Sequence, residues 1–379
     1  MSLRIAVIGA SGRGLAMARL FEQVGDCRAV AFADPFAPAR EMAAERFPGA
    51  ALFESCEELL DRSDVDAVLV ASADHAHEAN GLAVLARRKH LYLEKPMAQS
   101  VAGCDALLRT WSGTNTVFMV GLELRECVLF RRVREILDAG EIGRPVMGLA
   151  IDNVSVGGDY FYHNHYRKKA YTRSLLLQKG VHTIDLLNWF MGGNPCRVFA
   201  SGGLDYFGRK EDPEKRCRDC ERARSCRYYV APKSPAAKAA DGCVWSRDID
   251  LNDNSQLSID YDNGARAIYM ECHFTPEYTR EFTLFGDEGK LTAFYNNECD
   301  FLIRVTKPGG SVKELRPVPE RGGHGGSDIN LVRAFFQAIE DGKCPVPFLV
   351  GARNAAAVGA AGEDSIETGL PVTIPPPPL

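Results

Sequence analysis

Short apolar runs alternate with amphipathic stretches through the first third of the chain. The runs at 4–8, 29–33, 67–71, 91–93 and 117–120 predict strands, and the stretches at 15–24, 38–47, 76–87 and 101–111 predict helices between them. Ala67-Val68-Leu69-Val70-Ala71 is apolar on both faces, the mark of a strand covered by helices on each side. Such alternation predicts a doubly wound parallel sheet. Beyond residue 121 the pattern changes. A helix at 130–139 leads into a strand at 145–154, and a long helix is predicted over 175–191. Strands at 255–261, 265–272, 280–285 and 290–294 follow in close order. The first two are joined by Asp262-Asn263-Gly264, a strong hairpin signal. Helices at 327–339 and 352–367 close the chain. The reading is an α/β chain, with a nucleotide-binding type of domain over 1–122 and an α+β domain over 123–379. The second domain carries a largely antiparallel open sheet and a Cys-rich insertion near 208–245.

The chain has 379 residues, room for two such domains, and 46% apolar residues to fill their cores. A formal net charge of −5, with no Lys/Arg run longer than three residues, shows no basic face for nucleic acid. No apolar run approaches the about 20 residues of a membrane span. The run at 5–8 passes straight into a glycine turn, so it reads as a first strand and not as a secretion signal. The expected location is the cytoplasm, where most of the twelve cysteines would be reduced.

Chemistry enters at the ends of the predicted parallel strands, the edge where open α/β sheets bind ligands. After the first strand comes Gly9-Ala10-Ser11-Gly12-Arg13-Gly14. A dinucleotide fingerprint has glycines at its first, third and sixth places. Gly9 and Gly14 match, Ser11 takes the middle place, and Gly12 follows it. The helix that starts here turns its first N–H groups toward a pyrophosphate. Asp34 ends the second strand, about twenty residues past the last glycine, where an acid accepts hydrogen bonds from ribose hydroxyls and repels a 2′-phosphate. That favours NAD over NADP. Ser72 and His77 follow a later strand, and Glu94-Lys95-Pro96 follows the next. A lysine beside an oxidised nicotinamide has its pKa lowered by the neighbouring charge. It then suits a proton relay from a substrate hydroxyl.

The order of this glycine turn, Asp34, His77, Glu94-Lys95-Pro96 and Lys179-Gly180-Val181-His182-Thr183-Ile184-Asp185 resembles the Gfo/Idh/MocA oxidoreductases, relatives of glucose–fructose oxidoreductase and inositol dehydrogenase. Gly121-Leu122-Glu123-Leu124-Arg125 and His324-Gly325-Gly326-Ser327-Asp328 resemble its sugar and polyol dehydrogenase branch. The resemblance implies a Rossmann domain, a second domain that binds substrate, and Lys95 with His182 as the catalytic pair. It implies Lys179 as a residue that binds a substrate hydroxyl or shares the proton relay. Cofactor contacts are expected from Gly9, Ser11, Gly12, Arg13, Gly14, Asp34, Ser72, His77, Glu94 and Lys95. Substrate contacts are expected from Arg125, Gln178 and Asp185. Two positions depart from the family pattern. Gln178 stands where relatives often carry an aspartate, and Ala73-Asp74 where many carry Pro-Asn. On a continuous helix Gln178, His182 and Asp185 would share one face.

Two further segments carry chemistry. Tyr160-Phe161-Tyr162-His163-Asn164-His165-Tyr166-Arg167 is dense in aromatic rings with polar tips, which suits a sugar site through Tyr162 and His165, or equally an oligomer contact. Cys217-x2-Cys220-x5-Cys226 with Cys243 fits a structural zinc site, although reduced thiols, a disulfide and an Fe–S centre fit it too. Nearby Lys and Arg residues are expected to stabilise thiolates there. The main functional reading is an NAD-dependent dehydrogenase of a sugar, inositol or related polyol, working as a homodimer or homotetramer. An NAD-retaining glycosidase that acts by transient oxidation, and a non-enzymatic sugar or NAD sensor, are the competing readings. Lys95 and His182 argue against the sensor.

Overall fold

The computed structural model describes residues 2–62, 64–231 and 241–379. The chain divides into two compact units. The first comprises residues 1–127, 320–356 and 377–379, and the second 128–319 and 357–376.

The first unit opens with β1 (Leu3–Ile8), α1 (Gly12–Val24), β2 (Cys27–Ala33), α2 (Ala37–Arg46), β3 (Ala51–Phe53) and α3 (Cys56–Arg62). It continues through β4 (Ala67–Val70), α4 (His77–Ala86), β5 (His90–Leu93), α5 (Val101–Ser112) and β6 (Phe118–Val120). All six strands are parallel, in the order β3-β2-β1-β4-β5-β6. Order reverses between β1 and β4, so the ligand edge lies beyond their carboxyl ends. β4 is buried at all four positions, as its unbroken apolar run requires.

The second unit holds α6 (Val128–Asp138), β7 (Pro145–Asn153), α7 (Lys169–Thr172), α8 (Val181–Met191) and β8 (Pro195–Gly203). Then come β9 (Asn254–Tyr261), β10 (Arg266–Cys272), β11 (Thr279–Gly286), β12 (Gly289–Asn296), β13 (Leu302–Thr306) and β14 (Val312–Leu315). After α9 (Ser327–Asp341) and α10 (Val346–Thr368), β15 (Val372–Thr373) completes a nine-stranded sheet. Its order is β14-β13-β12-β11-β7-β10-β9-β8-β15, antiparallel except for the β7–β10 pair. β9 and β10 form the hairpin expected around Asn263-Gly264, with Gly264 at φ +83°. One sheet face buries Phe282 and Tyr295 against Phe130 of α6 and Phe190 of α8, with ring centroids 5.5–6.4 Å from Phe130. No helix among the described residues is long and apolar enough to cross a membrane.

One expectation is corrected and a second is refined. The domain boundary placed everything after 123 in the second unit, yet residues 320–356 belong to the first. The reason is apolar packing. Leu331, Val332, Phe335 and Phe336 of α9 join a core with Phe21 and Tyr92, and the Phe21 ring lies 5.2 Å from Tyr92 and 5.8 Å from Phe335. The helix expected over 175–191 forms without interruption, but Leu176–Gly180 is a π-helical turn and regular α-helix runs from Val181 to Met191.

Arg353 of α10 is fully buried, and its Nε donates to Asp105 Oδ1 of α5 at 2.8 Å. Removing one partner of a buried pair strands the other charge. Asp105→Ala is therefore expected to lower unfolding free energy by about 3–5 kcal/mol. Replacing both residues with apolar ones should recover most of that loss. Urea denaturation of the three proteins tests this, and a single-variant loss under about 1 kcal/mol, the range of exposed pairs, contradicts it.

Candidate active site

The first unit carries a cradle at the carboxyl edge of its sheet. Gly9 follows β1 at φ +95°, and a Cβ there would lie 2.4 Å from the Ala71 carbonyl oxygen. A Cβ on Gly14 would lie 1.9 Å from the Gly9 carbonyl oxygen, so helix and turn can close only on glycine. Around Gly12, by contrast, nothing lies within 4 Å of a Cβ position. Ser11 is the extended N-cap, and intrahelical bonding begins with the Leu15 amide on the Ser11 carbonyl at 3.1 Å. The amides of Gly12, Arg13 and Gly14 therefore stand at the helix mouth with no intrahelical acceptor.

Asp34 is pinned beside this mouth. Its Oδ2 accepts from the Ala10 amide and its Oδ1 from the Phe36 amide, both at 2.9 Å. Each carboxylate oxygen keeps a second lone pair for a ribose hydroxyl. Ser72 Oγ accepts from Asn80 at 3.0 Å. The buried His77 ring bridges two loops, with Nδ1 2.7 Å from the Pro96 carbonyl and Nε2 3.0 Å from that of Ser72. The open space at Gly12, the free helix amides and the anchored acid fit a dinucleotide.

Arg13 is committed elsewhere. Its Nε donates to Glu94 at 2.7 Å and its Nη2 to Asp328 at 2.9 Å. Glu94 and Arg13, both expected at the cofactor, thus clamp the glycine turn to the end of β5 and the start of α9. His324, at φ +51°, places Nδ1 3.0 Å from Asp328 Oδ2 and 3.4 Å from Glu123 Oε1. The Glu123 charge first, and the hydrogen bond to Asp328 next, raise the His324 pKa against burial. Burial alone would raise Asp328, but His324 and Arg13 hold it down at about 2. Lys95 follows Glu94, half-buried and joined to Pro96 by a cis peptide.

The second unit gathers charge in one row. Sheet register sets Glu271 of β10 beside Asp152 of β7, and Asp152 beside Arg280 of β11. All three occupy the face that also buries Ala150, Tyr269 and Phe282. Thr183 of α8 donates to Asp152 Oδ1 at 2.8 Å and accepts from Arg280 Nη1 at 3.2 Å. The Tyr269 hydroxyl reaches Asp152 Oδ2 at 2.8 Å and lies 2.9 Å from Glu271 Oε2. A Cβ on Gly180 would stand 2.8 Å from Glu271 Oε2 and 2.9 Å from the Tyr269 hydroxyl, so a side chain there would displace both groups of the row. That turn carries Lys179, whose Nζ donates to the Tyr278 hydroxyl. Arg280 Nη2 donates to the same oxygen at 2.9 Å.

The remaining candidates fall as follows. Gln178, His182 and Asp185 are buried, Gln178 in the π turn and the other two in α8. Tyr162 is core: its hydroxyl donates to the Asn252 carbonyl at 2.8 Å and its ring stacks on Phe207 at 4.3 Å. That hydroxyl is already spent on the backbone, which removes Tyr162 from the expected sugar contacts. His165 is exposed, its ring 4.3 Å from Tyr166. Arg125 is buried in the first unit, over the Phe348 ring at 5.2 Å and against Gly351. The expected helical pattern missed Asp152, Glu271, Tyr278 and Arg280. The legible signal was Arg280 two residues before Phe282 and four before Leu284, a cation on the inward parity of a strand.

Zinc at the cysteines is not supported. Cys217, Cys220, Cys226 and Cys243 line one cavity of about 440 Å³ with His163. Their sulfurs do not converge. Among the described residues the only three ligand atoms within 4.8 Å of one another belong to Glu123, His324 and Asp328. Thiolates are not favoured either, since burial pushes Cys217 and Cys243 upward. Three of the nearby cations are matched by acids: Arg218 pairs with Asp241, and Lys215 and Arg222 with Glu211. Tyr206, Phe207, Tyr228 and Trp245 pack together and give the segment its own small core. Residues 232–240 of the expected insertion lie outside the described residues.

Comparison with known proteins gives a consistent picture. The model of the GFO_IDH_MocA oxidoreductase family, NAD-binding Rossmann fold, matches residues 3–122, and that of the GFO/IDH/MocA C-terminal domain matches residues 130–292. A Bacillus subtilis (strain 168) protein named as an oxidoreductase, YteT, is 26% identical over 351 residues, covering 82% of this chain and 81% of its own. The inositol 2-dehydrogenase of Klebsiella pneumoniae (strain 342) is 31% identical over 221 residues, 56% of this chain and 63% of that protein's length. A solved levoglucosan dehydrogenase, in complex with NADH and L-sorbose, has the same fold. Its TM-score is 0.78 at 19% identity, with 98% of this chain and 99% of that one covered.

The His324 cluster makes a pH prediction. A histidine whose folded pKa is raised above its unfolded value, about 6.5, stabilises the fold fully below that value and loses the contribution as pH climbs through the folded pKa. The stability gap between wild type and His324→Gln, followed by urea midpoints, should be largest near pH 6 and close toward pH 9. A gap that widens with rising pH contradicts the assignment.

Proposed function

The chain belongs to the Gfo/Idh/MocA oxidoreductases, and from that premise we propose that it is a dehydrogenase that oxidises a hydroxyl of a sugar, inositol or related polyol with NAD. The observation that carries the reading is Lys95, half-buried at the carboxyl end of β5 in the unit that holds the dinucleotide cradle. Asp34 favours NAD over NADP, because a carboxylate there accepts from ribose hydroxyls and repels a 2′-phosphate. The substrate class rests on the likeness to an inositol 2-dehydrogenase. When bound, the oxidised nicotinamide supplies the hydride acceptor. Lys95, His182 and Lys179 orient the substrate hydroxyl and handle its proton. A polyol presents several hydroxyls, which the polar side chains around Lys179 suit. Met147, Ile268 and Phe285 leave an apolar sheet face exposed on β7, β10 and β11, the face by which a homodimer or homotetramer would form.

A panel of sugars and polyols, offered with NAD or NADP and followed by absorbance of the reduced nicotinamide, tests the reading. Net NADH formation with NAD preferred is expected. Glycoside cleavage without NADH accumulation would point to the transient-oxidation glycosidase instead. Lys95→Ala should lower turnover by roughly 10²–10⁴-fold while NAD still binds. Unimpaired turnover in that variant would remove Lys95 from the chemistry.

A further inference from the structure

Tyr278 has surroundings unlike those of the other tyrosines. Its hydroxyl oxygen receives two donors, the Lys179 ammonium and, at 2.9 Å, the Arg280 guanidinium. Lys179 Nζ also lies 4.7 Å from the ring centroid. Both donors are cations, and hydrogen bonds to the charged form favour it. The acid nearest this group, Asp152, is drawn off by Thr183 and Tyr269 and by Arg280, whose Nε is 3.5 Å away. The oxygen thus faces two positive charges, Lys179 from the π turn and Arg280 from its own strand end, and one acid that is already engaged.

Burial works against ionisation, and Arg280 and then Lys179 overcome it: the Tyr278 pKa falls to about 8. Tyr92, Tyr162, Tyr228, Tyr261 and Tyr269 all move upward, with burial the leading cause. A group that titrates near neutral pH suits proton transfer better than an ordinary phenol.

We propose that Tyr278 is the proton acceptor behind Lys179 in the dehydrogenase reaction. The inference rests on the functional reading above, in which Lys179 meets the substrate hydroxyl. A Lys179 N–H bond breaks and an O–H bond forms on the Tyr278 phenolate, which frees a lone pair on Nζ. The substrate O–H bond breaks and an N–H bond forms at that lone pair. Lys179 begins and ends as an ammonium, and Tyr278 goes from phenolate to phenol. The hydride lost from the same carbon is taken by the oxidised nicotinamide, which balances charge and electrons. Tyr278 acts through Lys179, so it is a relay residue and not one that touches substrate.

The test uses the full-length protein and the variants Tyr278→Phe and Lys179→Met. Near-ultraviolet titration of tyrosinate needs no substrate. One tyrosine is expected to ionise near pH 8 in the wild type, to vanish in Tyr278→Phe, and to shift upward in Lys179→Met. In kcat against pH for polyol oxidation, the wild type should rise with a midpoint near 8. Tyr278→Phe should lose that limb and about 10²-fold in kcat, with little change in KM. A titration near pH 8 that persists in Tyr278→Phe overturns the phenolate. A titration that vanishes while the rate profile stays unchanged overturns the relay and leaves the dehydrogenase reading standing. A wild type that oxidises none of the panel overturns the functional reading and the relay together, whereas the phenolate is judged by absorbance alone.

Discussion

A row of three charges, held in register across β10, β7 and β11, is the constraint on which the second unit is built. Glu271, Asp152 and Arg280 are each at most 2% exposed. Desolvating such groups costs several kcal/mol each unless their partners are in place. A slip of one residue in either strand pair would turn a whole set of side chains to the opposite face. The row therefore fixes register, and register fixes the rest. Thr183 can reach Asp152 only if α8 begins where it does, and a side chain at position 180 would push the Glu271 carboxylate and the Tyr269 hydroxyl out of place. The π turn that precedes α8 then delivers Lys179 to Tyr278.

The first unit obeys a similar rule with different means. Its turn closes because Gly14 comes against the Gly9 carbonyl, a contact no Cβ survives. Charge secures the result: Arg13 ties the turn to Glu94 and Asp328, and His324 ties Asp328 toward Glu123. An arginine in a glycine-rich turn suggests a phosphate partner, but here its Nε and Nη2 also reach two acids. The turn itself offers the cofactor backbone, the amides at the start of α1, which the glycines leave uncovered.

Much of this was legible in the chain, and the failures have physical causes. The parallel strands showed because full burial demands unbroken apolar runs, as in Ala67–Val70. β3 did not show, because two of its three residues are exposed. The turn at Asn263-Gly264 was clear from local chemistry alone. Apolar periodicity found the helical region around 175–191 but cannot register a π turn, which shifts the faces by a fraction of a turn. It also predicted the helix near 327–339 without telling that Phe335 would pack on Tyr92. Spacing grouped the four cysteines correctly around one cavity, yet spacing does not make sulfurs converge. Tyr278 was invisible because a single tyrosine ahead of a strand carries no spacing to Lys179.

Charge balance at Tyr278 gives these observations a common sense. Lys179 and Arg280 then bring two positive charges to Tyr278, with Asp152 already bonded to Thr183 and Tyr269. Asp152 answers the charge of Arg280 at 3.5 Å, while the Lys179 ammonium turns to the Tyr278 oxygen. A phenolate at Tyr278 supplies the missing negative charge at the point where both cations donate. The two donors set the anion at the mouth of β11, on a group that can take up a proton.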